Sequence, residues 1–500
     1  MVTAFQHGVS TRYLDNVPRP VTVVPSAAIV LIGTVPTYKL AVADRHINDP
    51  VRCLNDLDDA QFGGAKTPGF TIPYALDAIR DHGAGTVDII NVFDAATHKT
   101  TAQAISYTFP TTGASADKIQ LLKVSGTAPS QTVVAGTLAE GLTGTFTVTN
   151  QAGTTTYVAT TDYTYNATTG LLTRVVGGAI TSGLQVEVTY TYADPSKVVA
   201  ADIVGAVVSG DRTGLQAALD VYPLRGYRPK IIICPGYSEL ATVATEMGVM
   251  ANKLEAYYCL DAPANATRDE AIAGRAGTAP VTTFGTANRR AILCYPRVFD
   301  SEGLSQPLSQ SVAGVIAATD EEFGYWWSPS NKPIQAITGL ERRLTADFTD
   351  PNTDVNALNT AGITTVYNAF GTGFLLWGNR SALYPSDTTP LNFISVGRTL
   401  DIFHESLQRA SLPYVDRPIN DALIDAIEAT GNNFIAEQVI LGALLPGSRL
   451  YYEPARNPAS QLAAGKIVFS IVLMIPTPAE HIIYESTLDI NLLNLLGQGE

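Results

Sequence analysis

The sequence is poor in charged residues, and this scarcity limits the classes of partner that it can bind. Of its 500 residues, 16% are charged, whereas typical soluble domains contain roughly 25%. The net charge is −14, and so acidic a chain is not expected to wrap nucleic acid or to lie on anionic lipid. Two explanations of the low charge remain open: partners cover much of the surface, or a β-rich protein exposes Thr, Ser, Asn and Tyr instead.

Cysteines, signal sequences and membrane-length apolar runs are equally scarce. The four cysteines lie far apart without a CxxC pair, which fits a reducing compartment without disulfides. The N-terminus MVTAFQHGVSTRYLD lacks the cationic start and apolar core of a signal peptide. The longest apolar runs, such as IVFSIVLMIP at 467–476, are too short to cross a bilayer as helices. We therefore expect a soluble protein that is assembled in the cytoplasm, with no membrane insertion.

Motifs that would carry catalysis or cofactor binding are missing as well. The sequence contains no HExxH pair, no GxxxxGK[ST] phosphate loop and no GxSxG nucleophile turn. The histidines are scattered without metal-ligand spacing: His7, His46, His82, His98, His404 and His481. We therefore predict no catalytic site, no cofactor and no metal, and we do not expect an enzyme.

One acidic pair beside aromatic residues keeps an enzymatic alternative open. Asp320 and Glu321 precede the segment GYWWSPSN at 324–331, and paired carboxylates are what glycoside hydrolysis uses. A packed turn around Trp326 and Trp327 explains the same residues without catalysis, and we favour it. A virion-associated or secreted glycan-active enzyme, or an adhesin with a β accessory domain, stays as the alternative function.

The two stretches that flank the middle of the sequence predict a mixed α/β domain. An apolar strand in VTVVPSAAIVLIGTVP is followed by a helix in IPYALDAIRDHGAG and a strand in TVDIINVF. The same alternation returns later, with buried strands in KIIICPG and RAILCYP. We predict one α/β middle domain made of residues 21–105 and 196–390.

The span 106–195 has a different composition and predicts an inserted all-β outer domain. Thirteen threonines occur between residues 143 and 173, within alternating runs such as TGTFTVTN and TTTYVATTDYTY. Gly and Asn interrupt these runs at short intervals, as in an antiparallel sandwich or small barrel. The fold class is therefore a multidomain α/β protein with an inserted antiparallel β-domain.

Residues 391–478 predict a C-terminal α/β unit. A helix at 398–410 has an apolar stripe, with Arg398, Asp401, Glu405 and Arg409 expected on its opposite side. RPINDALIDAIEATGNN predicts a second helix that ends at Gly431, and NFIAEQVILGALLPG predicts a third. A strand in GKIVFSIVLMIP closes the unit.

Both ends of the chain predict extended β-arms. In the N-terminal arm, 1–20, alternate positions are apolar (Phe5, Val9 and Tyr13), and VPRP prevents a helix. The C-terminal arm, 479–500, contains HIIYESTLDINLL, in which one side of a half-buried strand carries Ile482, Tyr484, Leu488, Ile490 and Leu492. The residues alone leave open whether each arm is completed by its own subunit or by a neighbouring one.

Several further motifs occur in order along the chain: the N-terminal FQHGV and PRP elements, SQSVAGVIAATDEEFGYWWSPSN, LNTAGITTV, WGNR, and a C-terminal run from FISVGRTLDIFHESL to TPAEHIIYE. Together they resemble the tail sheath proteins of contractile bacteriophages, a family related to the sheaths of R-type bacteriocins and other contractile injection systems. The resemblance covers roughly residues 1–100 and 200–500 and leaves out the β-domain.

The resemblance implies a structural subunit of a virion tail. Sheath subunits stack as hexameric rings around a tail tube, between baseplate and tail terminator proteins, and contract to drive the tube through the host envelope. It implies that both arms add strands to neighbouring subunits. It also implies that the C-terminal unit lines the tube, so that some of Arg398, Asp401, Glu405 and Arg409 would touch it.

Overall fold

A computed structural model of the chain describes residues 21–83, 85–112, 116–368, 371 and 373–495. The strands in chain order are β1 Ile29–Gly33, β2 Val51–Cys53, β3 Val87–Asn91, β4 Lys99–Thr108, β5 Lys118–Gln120, β6 Leu122–Ser125, β7 Thr132–Leu138, β8 Thr147–Asn150, β9 Tyr163–Asn166, β10 Leu171–Arg174, β11 Gln185–Ala193, β12 Val207–Val208, β13 Asp211–Arg212, β14 Ile231–Ile233, β15 Tyr257–Asp261, β16 Ala291–Cys294, β17 Val298–Asp300, β18 Ser305–Gln306, β19 Lys332–Pro333, β20 Ile337–Leu340, β21 Ile363–Tyr367, β22 Leu375–Trp377, β23 Arg449–Tyr452 and β24 Phe469–Val472. The α-helices are α1 Asp56–Asp58, α2 Ile72–Arg80, α3 Ala200–Val204, α4 Val221–Arg225, α5 Ala241–Leu254, α6 Arg268–Ala273, α7 Leu308–Glu322, α8 Asp354–Thr360, α9 Ile394–Ser411, α10 Asp421–Leu441 and α11 Ala459–Ala463.

A nine-stranded sheet in the order β19-β22-β21-β16-β15-β14-β1-β3-β2 forms the middle of the protein. Strands β3, β1, β14, β15, β16 and β21 are parallel, and the outer strands β2, β22 and β19 pair antiparallel. Strand β1 shows why helices cover both faces, because Val30 points into one buried cluster and Ile29 into another. Helix α5 packs on the first face, and helices α2 and α7 pack on the second. The predicted mixed α/β class is confirmed.

The β-rich span between β3 and α3 forms its own core. Strand β11 pairs with both β4 and β8, and β10 pairs with β5 and β9, all antiparallel. Tyr190, Tyr192, Val148 and Leu172 belong to a buried cluster whose members all lie between residues 102 and 192. The inserted antiparallel β-domain is thus present. Its first strand begins at Lys99, ahead of the predicted start at 106, and pairs with Ala193 at its far end.

The C-terminal unit contains the helices α9 and α10 and the hairpin β23–β24. Helix α10 continues from Asp421 to Leu441, so the prediction of a helix ending at Gly431 and a third helix after it was wrong. Gly431 is buried inside the helix, where a Cβ would lie 2.7 Å from Leu450 Cδ1 of β23. The glycine therefore serves close packing of helix on hairpin rather than termination.

Among the described residues, no helix combines the length and the apolar character that a bilayer span requires.

Candidate assembly interface

The C-terminal arm leaves the body of the protein without a partner strand in the described part of the chain. The last buried residue is Ile475, at 3% exposure, and residues 477–489 have no helix or strand pairing in the described structure. The predicted strand is therefore not formed among the described residues of the arm, and 490–495 form a 3-10 helix instead. The five residues predicted to face a sheet are 61–101% exposed: Ile482, Tyr484, Leu488, Ile490 and Leu492.

This arm combines exposed apolar side chains with unpaired backbone groups. Ile483 and Leu493 are also more than 60% exposed, so the segment presents several exposed apolar side chains of the kind that mark interaction sites. Within the described residues and outside the 3-10 helix, the hydrogen bonds of 481–493 are local ones between Asp489, Asn491 and Leu492. The arm can therefore offer a strand to a sheet edge, where backbone bonds supply affinity and alternate side chains supply register.

The start of the described chain packs on the same unit from which the C-terminal arm departs. The predicted N-terminal contacts Phe5, Val9 and Tyr13 lie outside the described residues. Just after them, Val21 joins a buried cluster that also contains Phe403 and Ile475. The backbone N–H of Val24 donates to Ser406 Oγ at 3.2 Å. The roots of both arms therefore converge on one hydrophobic cluster.

Helix α9 is held against the middle domain by a buried ion pair. Arg398 donates from Nη1 and Nη2 to the two oxygens of Asp320 at 2.9 and 2.6 Å, and both side chains are 2% exposed. Burial alone would lower the pKa of Arg398, but the adjacent Asp320 carboxylate outweighs it and raises that pKa. A third bond runs from Arg398 to the carbonyl oxygen of Ser26 at 3.1 Å.

Two further acidic residues of α9 are buried in the same way. Asp401 accepts from Arg289 at 2.6 Å and from Arg290 at 2.9 Å, and Glu405 pairs with Lys230. Asp401 is 4% and Glu405 7% exposed. The expectation that these charges face away from the packed side of the helix was therefore wrong.

The predicted contact of these charges with a tube is corrected accordingly. Arg398, Asp401 and Glu405 are occupied inside the subunit, and among the four only Arg409 is exposed. Their partners lie 78 or more positions away in the sequence, and helical periodicity carries no signal for contacts at such a distance.

The acidic pair considered for glycoside hydrolysis is not assembled into a site. Asp320 is committed to Arg398 in the interior, whereas the adjacent Glu321 is exposed. Tyr325 and Trp326 pack edge to face at 5.1 Å between ring centroids. Trp326 is thus packed in the turn, as favoured from the sequence, whereas Trp327 lies 5.0 Å from the Phe323 ring and is 47% exposed.

A cleft of about 520 Å³ lies between the β-domain and the carboxyl ends of β1 and β14. Its lining includes Tyr192 and Asp194 on one side and Tyr237 on the other. The Asp194 carboxylate accepts hydrogen bonds from Thr100 and Ser196, at 2.5 and 2.7 Å. Although burial opposes it, this bonding lowers the pKa of Asp194. The carboxylate therefore stabilises the junction of the β-domain.

The known proteins that this chain resembles in sequence are described as tail sheath proteins. The family described as "Phage tail sheath protein central domain" matches residues 210–382. The tail sheath protein of Burkholderia phage BcepMu is 41% identical over 506 aligned residues, which cover 100% of both chains. A putative prophage major tail sheath protein of Pseudomonas aeruginosa strain UCBPP-PA14 is 34% identical over 57% of this chain and 72% of its own.

Solved structures share the fold across nearly the whole chain. The sheath of an extracellular contractile injection system (PVC), in its contracted state, matches with a TM-score of 0.59 at 14% identity, covering 98% of this chain and 99% of its own. The contracted helical sheath of the anti-feeding prophage matches with a TM-score of 0.59 at 16% identity, covering 98% and 100%.

Proposed function

The chain belongs to the tail sheath protein family of contractile phages, and from this premise we propose that it assembles into stacked hexameric rings around a tail tube. Contraction of these rings drives the tube through the host cell envelope. The baseplate and the tail terminator bound the assembly at its two ends. Subunits are made in the host cytoplasm and become part of the virion tail.

The C-terminal arm is the observation that carries this proposal. Its apolar residues gain roughly 1.5 to 3 kcal/mol for each large side chain that a neighbour buries. Each backbone hydrogen bond to a neighbouring strand adds roughly 0.5 to 1.5 kcal/mol. A link of this size, repeated around a ring, holds subunits together without any enclosed core between them.

The hairpin β23–β24 is a suitable acceptor for such strands. In the described part of the chain it is a sheet of two strands, packed on α10. Val472 on β24 and Met474 just beyond it are 46% and 42% exposed. On β23, Asn432 of α10 bonds both the N–H and the carbonyl oxygen of Leu450, so the acceptor edge is that of β24. A strand added along β24 would enlarge the sheet beside these exposed side chains, which supports arm exchange between subunits.

The buried ion pairs of α9 support contraction by movement of whole subunits. They join the C-terminal unit to the middle domain, so these two parts move together while the arms bend between neighbours. Contraction then exchanges small contacts between rigid bodies for larger ones, and the extended state is held by a kinetic barrier. Arg409, which is exposed, remains a proposed contact with the tube.

Removal of residues 481–500 tests the arm. We expect the truncated subunit to fold, because the segment makes no hydrogen bond to the body of the protein in the described structure, but to form no sheaths. Electron microscopy and sedimentation velocity of the full-length and truncated proteins measure this. Normal sheaths from the truncated subunit would contradict arm exchange.

A pair of substitutions provides a sharper test of strand register. Leu488→Lys places a charge on the side of the arm that a neighbouring sheet would bury, and we expect it to abolish polymerisation. Thr487→Lys adds the same charge one residue earlier, on the opposite side, and should leave polymerisation nearly intact. Equal effects of the two substitutions would argue against a strand in the assembled state.

A further inference from the structure

Arg380, in the WGNR motif, binds Glu480, the second residue of the C-terminal arm. Its Nε donates to Glu480 Oε1 at 2.9 Å, and its Nη2 bonds the second carboxylate oxygen of Glu480. Nη1 donates to Asn392 Oδ1 at 2.6 Å. Bidentate pairs of this type fix orientation as well as distance. The two side chains are 21% and 40% exposed, so the pair lies at the surface and can open.

Two aromatic rings hold the guanidinium group in place before the carboxylate binds. The Arg380 guanidinium carbon lies 4.7 Å from the ring centroid of Tyr384 and 4.0 Å from that of Phe393. Cation–π contacts at such distances restrict the long side chain. Less side-chain entropy is then lost when Glu480 is bound, which distinguishes this pair from an ordinary surface salt bridge.

Glu480 lies at the point in the chain where the C-terminal arm separates from the body of the subunit. Ile475 is buried in the C-terminal unit, and the residues between it and Glu480 include Pro476 and Pro478, which restrict the backbone. Beyond Glu480, the described residues 481–493 make no hydrogen bond or ion pair with the preceding chain. Among the described residues, Glu480 is therefore the last one that attaches the arm to its own subunit.

We propose that Arg380 and Glu480 form the pivot of the C-terminal arm, which fixes where the arm leaves its subunit and in which direction. This rests on the proposed exchange of arms between subunits. Fully extended, the 13 residues 481–493 reach at most about 45 Å from this point. A fixed point of departure restricts which neighbouring subunit the arm can reach. Arg380 is thus a positioning residue for assembly.

Spin labels on dilute, unassembled full-length subunits test the pivot directly. A label at Thr477→Cys, an exposed position between Ile475 and Glu480, should show a slowly moving component. A label at Tyr484→Cys should move fast. We expect Arg380→Gln and Glu480→Gln each to abolish the slow component at 477, and the double variant to add nothing further. A slow component that persists in Arg380→Gln would overturn the pivot.

A matched control is available in Arg417. It lies 5.3 Å from the Tyr414 ring and has no carboxylate partner in the described part of the chain, so Arg417→Gln should leave both labels unchanged. A purely structural role for Arg380 is tested in a chain ending at residue 479. In that shortened chain Arg380→Gln loses only the bond to Asn392 and the contacts with the two rings, so it should lower the thermal midpoint less than in the full-length protein. A shift as large as in the full-length protein would assign Arg380 to stability alone and contradict the proposal.

The functional effect of Arg380 is measured by the formation of ordered sheaths. We expect Arg380→Gln subunits to lose ordered sheaths, and Arg380→Lys, which keeps the charge but not the bidentate geometry, to recover them only in part. Arg380→Gln sheaths that equal wild type in yield and in contraction would overturn the pivot. The label experiment does not require polymerisation, so the pivot can hold even if removal of 481–500 shows that the arm donates no strand.

Discussion

Arg398 lies in the protein interior, where its charge is tolerated only because Asp320 neutralises it. Taking both ions out of water costs several kcal/mol each, and their mutual attraction largely offsets this cost. Such a pair adds little net stability over apolar residues of the same size. Its consequence is geometric, because a shift of α9 along the middle domain would separate buried charges. The ion pairs therefore fix the position of the C-terminal unit on the middle domain.

At this scale we predict that Asp320→Asn destabilises the subunit by roughly 3 to 5 kcal/mol, since Arg398 then remains buried without a counter-charge. Urea unfolding of the variant that lacks 481–500, which removes polymerisation, measures the change. Replacing both partners, as in Asp320→Leu with Arg398→Met, should recover most of the loss.

The matched control is Asp269→Asn. Asp269 pairs with Arg268 at the surface, with side chains 79% and 40% exposed, and its loss should cost less than about 1 kcal/mol. A similar cost for Asp320→Asn would show that the α9 pair is solvated, contrary to its burial.

Helix α10 shows how an element's length depends on which glycine ends it. The helix ends at Gly442, which has a φ of +84° and donates its N–H to the carbonyl oxygens of Gln438 and Val439. Both Gly431 and Gly442 follow apolar, helix-forming residues, and sequence periodicity does not separate them. The distinguishing contact, Leu450 against Gly431, comes from a strand formed 18 residues later.

We predict opposite effects of alanine at these two glycines. Gly442→Ala should cost about 1 to 2 kcal/mol, because an L-residue is strained in the left-handed region. Gly431→Ala is best tested in the Leu450→Ala variant, which lacks the steric contact. Relative to Leu450→Ala alone, the added Gly431→Ala should stabilise the subunit by about 1 kcal/mol through helix propensity. Both changes are read from urea unfolding of the chain lacking 481–500. Destabilisation by Gly431→Ala in that background would contradict a helix that continues through residue 431.

At the scale of the whole molecule, local sequence patterns predicted the domains but not the contacts between distant segments. Apolar runs predicted the parallel strands, and threonine alternation predicted the β-domain, because both patterns reflect burial of neighbouring residues. The partners of Arg398, Asp401 and Arg380 come from distant segments and left no local signal. The arm has the alternation of a strand, but it pairs with no sheet within the described residues.

The β-domain is the part of the molecule whose independent folding can be tested most directly. Lys99 pairs with Ala193, so the two ends of the domain are adjacent strand residues, and its buried cluster contains residues of this span. The junction adds a few polar contacts, such as Lys39 with Glu140 at 2.7 Å. These features describe a module that was inserted into a loop after β3.

We therefore predict that replacing residues 99–193 with a short Gly-Ser linker leaves a folded subunit that still polymerises, because the arms and the α9 ion pairs lie outside the deleted span. The thermal midpoint should fall by no more than a few degrees, the effect of losing about 1 kcal/mol at the junction. Circular dichroism and electron microscopy of the shortened protein measure both properties. The domain expressed alone should unfold cooperatively, since it has its own core. If the shortened protein is unfolded, the β-domain is required to complete the middle sheet. If the shortened protein folds but forms no sheaths, the β-domain itself carries an assembly contact.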